Sequence, residues 1–180
     1  MGPIRLVARY MRDHDLTLVT AESCCAGLIA ATLAETPGAG KLLDCAYVVY
    51  TPEAKQACLG VSSDTLDRFN LTSEEVAREM ATGALSRSRA NVAISNTGVV
   101  DATDPSIAPG TQCFGWAFTP DGQAGELGGE PIVFTETKRF TGNRIKIRKA
   151  ASLYALHRIS HYHQQLDAGK APAQPQDPTS

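Results

Sequence analysis

The sequence predicts an α/β fold in which a mixed sheet is covered by helices on both faces, and three observations carry that expectation. In the first half, short apolar runs alternate with segments whose apolar residues recur at helical spacing. In the second half, two strand-like runs follow one another with only a turn-rich stretch between them, so they form a hairpin and make the sheet mixed. Third, 180 residues with 43% hydrophobic and 20% charged side chains suit one domain able to bury its own core.

The elements follow in order. Ile4, Leu6, Val7, Tyr10 and Met11 recur at helical spacing and predict a helix ending near His14-Asp15. Leu16 to Thr20 reads as a short buried strand. Small and apolar residues then predominate from Glu22 to about Thr36, so a helix is expected almost directly after that strand, ending at the Pro37-Gly38-Ala39-Gly40 loop. Cys45 to Tyr50 is a second strand, and Thr51-Pro52 opens a short helix carrying Glu53, Lys55 and Cys58. Thr72-Ser73-Glu74-Glu75-Val76 supplies cap residues and acidic residues for the first turn of another helix, with Val76, Met80, Ala84 and Leu85 on one face. Asn91 to Ser95 is a strand running into an irregular loop, Asn96 to Gly110, long enough to line a site. Gln112 to Phe118 and Pro131 to Phe140 are the hairpin strands, with Asp121-Gly122 and Gly128-Gly129 in their connection. A basic helix from about Asn143 to Gln165 closes the domain, taken as residues 1–165. Residues 166–180 form a Pro/Gln/Asp-containing tail, expected to be flexible.

A formal net charge of −2 gives no electrostatic reason to expect nucleic acid or a membrane surface as partner, which leaves a small polar substrate open. The apolar stretches fall short of the ~20 residues of a membrane span, and Met1 to Tyr10 lacks the features of a secretory signal, so a cytoplasmic location is expected. Five cysteines, Cys24, Cys25, Cys45, Cys58 and Cys113, form no CxxC or Cys/His cluster and read as reduced thiols. His157 and His161 share a helix face, but no acidic or cysteine partner lies in their segment, so no metal is expected. A homo-oligomer, with a dimer favoured, is the default assembly.

Two segments could carry chemistry. Thr20-Ala21-Glu22-Ser23-Cys24-Cys25-Ala26-Gly27 lies where a strand turns into a helix, so Ser23 either caps that helix or faces the crevice at the strand's carboxyl end. In the latter case free helix N–H groups offer a place for a phosphate or an oxyanion. Tyr47 to Lys55 contains a lysine that can activate a serine if burial or nearby positive charge depresses its pKa, and tyrosines able to relay a proton.

Together these segments resemble the two signatures of the CinA C-terminal domain family. Its members commonly read TAESCTGG, then a strand ending in a YSNEAK-like segment, then LGV. Here the chain reads TAESCCAG, YTPEAK and Leu59-Gly60-Val61. Thr97-Gly98 matches a further TG pair, Pro109-Gly110-Thr111 resembles a PVGT-like stretch, and Phe140-Thr141-Gly142-Asn143-Arg144 resembles an F-x-G-D-R segment. The resemblance implies a three-layer α/β/α sandwich that deamidates nicotinamide mononucleotide to nicotinate mononucleotide without metal or cofactor. By motif match Ser23 is the nucleophile, Lys55 its base and Tyr50 a partner in proton transfer. Cys24, Cys25, Ala26, Gly27, Thr97, Gly98 and Arg144 are the expected substrate-binding positions, Arg144 for a phosphate.

The chain also departs from the pattern. The family continues TG with the glycine-rich IAGPxGG, whereas this chain reads Val99-Val100-Asp101-Ala102-Thr103-Asp104-Pro105. That exchange removes backbone freedom and adds two carboxylates near an expected phosphate site. Cys25, Ala26 and Asn143 replace Thr, Gly and Asp. The alternative expectation is therefore a family member of lost or altered activity that serves as a nucleotide-binding or regulatory module.

Overall fold

A computed structural model of the chain describes residues 2–120 and 129–169. In chain order the elements are α1 (Pro3–Asp13), β1 (Leu18–Glu22), α2 (Leu28–Ala34), β2 (Leu43–Val48), α3 (Pro52–Leu59), α4 (Ser63–Arg68), α5 (Glu74–Ser86), β3 (Val92–Gly98), β4 (Thr111–Phe118), β5 (Ile132–Arg139) and α6 (Arg144–Asp167). A single 3-10 turn spans Ala39–Lys41. The strands form one sheet in the order β2-β1-β3-β4-β5. β1 runs parallel to β2 and β3, while β4 runs antiparallel to β3 and β5, which is the mixed sheet expected from the sequence.

Period-two alternation along the strands sends side chains to two separate cores. Leu18, Ile94, Phe114, Trp116, Phe118 and Phe134 pack beneath α1, α2 and α6. Val19, Ala21, Ala93, Ala117 and Val133 face the other way, against Leu59 of α3 and against α5. The result is three layers, with bulky strand residues on one face and mostly small ones on the other. The small face lets helices approach closely. A Cβ at Gly83 of α5 would lie 1.9 Å from the Leu59 carbonyl oxygen, so glycine there sets the α3–α5 distance.

The starts of α3, α4, α5 and α6 carry side-chain caps. Thr51 Oγ1 accepts from Ala54 N (3.1 Å) ahead of Pro52 at the first position of α3. Ser73 caps α5 above Glu74 and Glu75. Asn143 Oδ1 accepts from Lys146 N (2.9 Å) and caps α6. Each satisfies a backbone donor that the first helical turn leaves open.

Several boundaries differ from the sequence expectation. β1 continues through Glu22, so the following helix starts at Leu28 rather than at Glu22. β3 continues to Gly98, because Thr97 and Gly98 pair with Cys113 and Gln112, and this takes Asn96 to Gly98 out of the expected loop. The short helix α4 was not expected from the sequence. The turn at Asp121-Gly122, Gly128 of the same connection, and residues 170–180 of the expected tail lie outside the described residues. Among the described residues no helix is long and apolar enough to cross a membrane. His163 bonds the Tyr10 hydroxyl at 3.0 Å, and His161 lies 2.9 Å from Gln165 Nε2.

Candidate active site

β1 lies between the two strands parallel to it. The chain leaves it through α2 on one face of the sheet and reaches β3 after the helices of the other face. The crevice outside the carboxyl ends of such strands is where open α/β sheets place ligands. Ser23 stands there, directly after β1. Its N–H extends the ladder by donating to Asn96 O at 2.9 Å.

The turn from Ser23 to Gly27 is held from several sides. Ala26 and Gly27 adopt positive φ (51° and 89°), which lets the chain reverse before α2. Such a value is costly for alanine and free for glycine, the residue the family pattern has in place of Ala26. Asn96 Oδ1 accepts from Cys25 N at 2.9 Å, and Asn96 Nδ2 donates to Gln112 Oε1 at 3.0 Å. Arg148 of α6 donates from Nε to Cys24 O (3.1 Å) and from Nη2 to Cys25 O (2.8 Å). Glu22 is fully buried, and its two carboxylate oxygens each accept at 3.0 Å, from Ile29 N and Ala30 N. A carboxylate on the positive end of α2 satisfies both its free donors and its dipole. Ser23 therefore does not cap this helix, whose N–H groups are engaged by Glu22. Glu22, Asn96, Gln112 and Arg148 position the turn, and the sequence reading gave none of them a role.

Lys55 comes from the first turn of α3 and is 1% exposed. Helical side chains lean toward the helix N-terminus, and Lys55 does so here. Its Nζ donates to Ser23 Oγ at 3.1 Å, to Val49 O at 3.1 Å and to Tyr50 O at 3.2 Å. Burial pushes its ammonium from the ordinary 10.5 down to about 8, because the charged form has lost water. Burial alone accounts for this shift; the nearby positive charge considered from the sequence is not among its causes.

Ser23 and Lys55 open into a cavity of about 420 Å³, also lined by Cys24, Tyr50, Thr97, Gly98 and Val99. Its far wall is Leu66, Phe69, Asn70, Leu71 and Thr72, and Thr103 with Asp104 complete it. Thr97 Oγ1 donates to Leu71 O at 2.7 Å, and Asn70 Nδ2 donates to Asp104 Oδ2 at 2.8 Å, so the β3 end and the loop after it are tied to the far wall. Hydrogen bonds from the Ser106 hydroxyl and N–H, and from Asn70, hold the Asp104 carboxyl below its usual pKa. Tyr50 is 58% exposed, with its side chain at the rim and its carbonyl on Lys55.

The fold thus brings Ser23, Cys24, Tyr50, Lys55, Thr97 and Gly98 to one cavity. Cys25, Ala26, Gly27 and Arg144 are not in its lining. Cys25 is fully buried, and desolvation pushes its thiol up to about 12, which makes it a packing residue rather than a nucleophile. Gly27 faces Val48 and precedes α2. Arg144, at the start of α6, is ion-paired with Asp101 of the loop after β3. Asn143 engages Lys146 N.

Comparison with known proteins agrees with this architecture. Residues 4–163 match the model of the CinA C-terminal domain. A relative from Symbiobacterium thermophilum, named among the competence-damage inducible proteins, is 37% identical over 161 residues, 87% of this chain and 37% of that protein. A CinA-like protein of Chlorobium phaeobacteroides is 35% identical over 158 residues, 86% of this chain and 36% of that protein. The chain therefore spans little more than a third of the length of these curated relatives. Among solved structures, the competence/damage inducible protein CihA of Agrobacterium tumefaciens superimposes with a TM-score of 0.79 at 32% identity, covering 91% of this chain and 98% of that one. A CinA superfamily protein of Escherichia coli gives 0.75 at 31% identity, covering 89% and 87%. With the family model matched from the first helix to the last, and the sheet shared with solved members, the chain belongs to the CinA C-terminal domain family.

Proposed function

We propose that this chain hydrolyses the carboxamide of nicotinamide mononucleotide, releasing ammonia and nicotinate mononucleotide. The observation that supports it most is the buried 3.1 Å contact between Ser23 Oγ and Lys55 Nζ at the floor of an open cavity. A serine needs a base to become a nucleophile, and a lysine pushed to about 8 is neutral often enough near neutral pH to be one. In its neutral form Nζ keeps two donors for the Val49 and Tyr50 carbonyls, and its lone pair then points at the Ser23 hydroxyl.

Ser23 Oγ attacks the carboxamide carbon while its proton passes to Lys55 Nζ. The tetrahedral intermediate collapses by breaking the C–N bond, and Lys55 returns the proton to the departing amine, which leaves as ammonia. Water then attacks the Ser23 ester, with Lys55 again taking and returning a proton, and the free acid departs. Leu66, Phe69 and Leu71 offer an apolar wall for a pyridine ring, and the exposed Tyr50 phenol at the rim is available to the substrate. Arg144 is the guanidinium assigned to the phosphate.

The test is ammonia release from nicotinamide mononucleotide by purified protein, with Ser23→Ala as control. Turnover in the parent and at least a ~10³-fold loss in the variant are expected, as for removal of an activated nucleophile. Folded protein that releases no ammonia rejects the reading. A second reading, a nucleotide-binding module without turnover, draws on one observation: Arg144 is already paired with Asp101. Thermal stabilisation by the nucleotide without ammonia release would favour that module.

A further inference from the structure

We propose that Asp101 is a specificity-determining residue: its carboxylate holds the Arg144 guanidinium that a substrate phosphate would otherwise take, so the site separates phosphorylated from unphosphorylated carboxamides only weakly. The inference rests on the hydrolase site described above and concerns which substrates that site accepts.

Three features place the ion pair at the mouth of the Ser23 cavity. Val100, next to Asp101, packs with Cys24 and with Ile147, which lies one turn beyond Arg144 on α6. The start of the loop and the start of α6 are thus docked together on the residue beside Ser23. Val99, two residues before Asp101, lines the cavity itself. Thr103, whose N–H donates to Asp101 O at 2.9 Å, lines the cavity as well.

A phosphate entering here finds little other positive charge. The charged side chains lining the cavity are Lys55, which the chemistry needs neutral, and Asp104, which Asn70 and Ser106 hold as an anion. Arg148 donates to the Cys24 and Cys25 carbonyls and is committed to the turn. Arg144 remains, and Asp101 already supplies the carboxylate to which a guanidinium binds as it would a phosphate. The pair is half-exposed, with 53% and 56% of the two side chains accessible, so it can exchange for a ligand rather than lock the site. A nucleotide must displace Asp101 and tolerate its charge nearby. A nucleoside leaves the pair intact.

The experiment measures binding by calorimetry in the Ser23→Ala protein, where turnover does not interfere. The ligands are nicotinamide mononucleotide and the corresponding unphosphorylated nucleoside. Asp101→Asn should tighten the nucleotide about three- to tenfold, the scale on which an exposed ion pair competes, and leave the nucleoside within about twofold. In an Arg144→Gln background the gain should vanish, because Asp101 acts through that guanidinium. Equal effects on both ligands, a gain that persists without Arg144, no tightening, or no nucleotide binding in any variant would each overturn the proposal. Ammonia release by the Ser23-containing protein is measured separately. Turnover with an unchanged nucleotide affinity in Asp101→Asn rejects the role of Asp101 alone, whereas absent turnover rejects the hydrolase reading and leaves the affinities to decide the role of Asp101.

Discussion

On the proposed mechanism, the burial of Lys55 governs both the reactivity of Ser23 and the pH range in which it works. Protonated, Nζ donates to Ser23 and cannot take its proton; neutral, it can. kcat/KM for ammonia release should therefore rise with pH and level off above about 8. Lys55→Arg should be inactive throughout, since a guanidinium stays protonated; an active arginine variant would remove lysine from the mechanism. The same shift affects stability. The folded chain binds fewer protons than the unfolded one between about 8 and 10.5, so this group makes folding more favourable as pH rises through that window and less so below it. Ser23, Tyr50 and Lys55, which the fold brings to one cavity, could be picked out as candidates in the sequence because each lies in a short local motif. Glu22, Asn96, Gln112 and Arg148 were not, since a buried carboxylate or amide shows its purpose only when folding brings its partners to it. For Glu22 the available hint was a charge at the end of an apolar run, where burial requires donors.

At the scale of elements, the position of Lys55 depends on how α3 rests against α5. Gly83 allows that contact, and a methyl group there would meet the Leu59 carbonyl at 1.9 Å, four residues after Lys55 on the same helix. Gly83→Ala should destabilise the fold by about 1–3 kcal/mol, the usual cost of overpacking, and lower kcat by displacing α3. Denaturant unfolding and steady-state kinetics on the one variant check both, and unchanged values would show that α3 is not fixed by this contact. α3 itself was readable from Thr51-Pro52, and α5 from its cap and acidic first turn. The start of α2 was misplaced because its cap, Glu22, comes from six residues upstream through a side chain rather than from the residue next to the helix. α4 was missed because six mostly polar residues show no periodicity.

Across the whole molecule, the alternation of strands and helices and the late hairpin were enough to predict a mixed sheet between two helical layers. The register was not readable, and it decides the site: pairing Glu22 with Asn96, and Gly98 with Gln112, sets Asn96 and Gln112 beneath the Ser23 turn. The fold then brings Lys55 from one helical layer and Arg148 from the other to opposite sides of that turn. The account stands on Ser23 becoming acylated by a carboxamide substrate. The most direct measurement supplies hydroxylamine with nicotinamide mononucleotide and follows the products. An acyl-Ser23 intermediate predicts a hydroxamate formed at the expense of the free acid, and neither product with Ser23→Ala. Free acid formed at an undiminished rate by Ser23→Ala, with no hydroxamate from either protein, would contradict it.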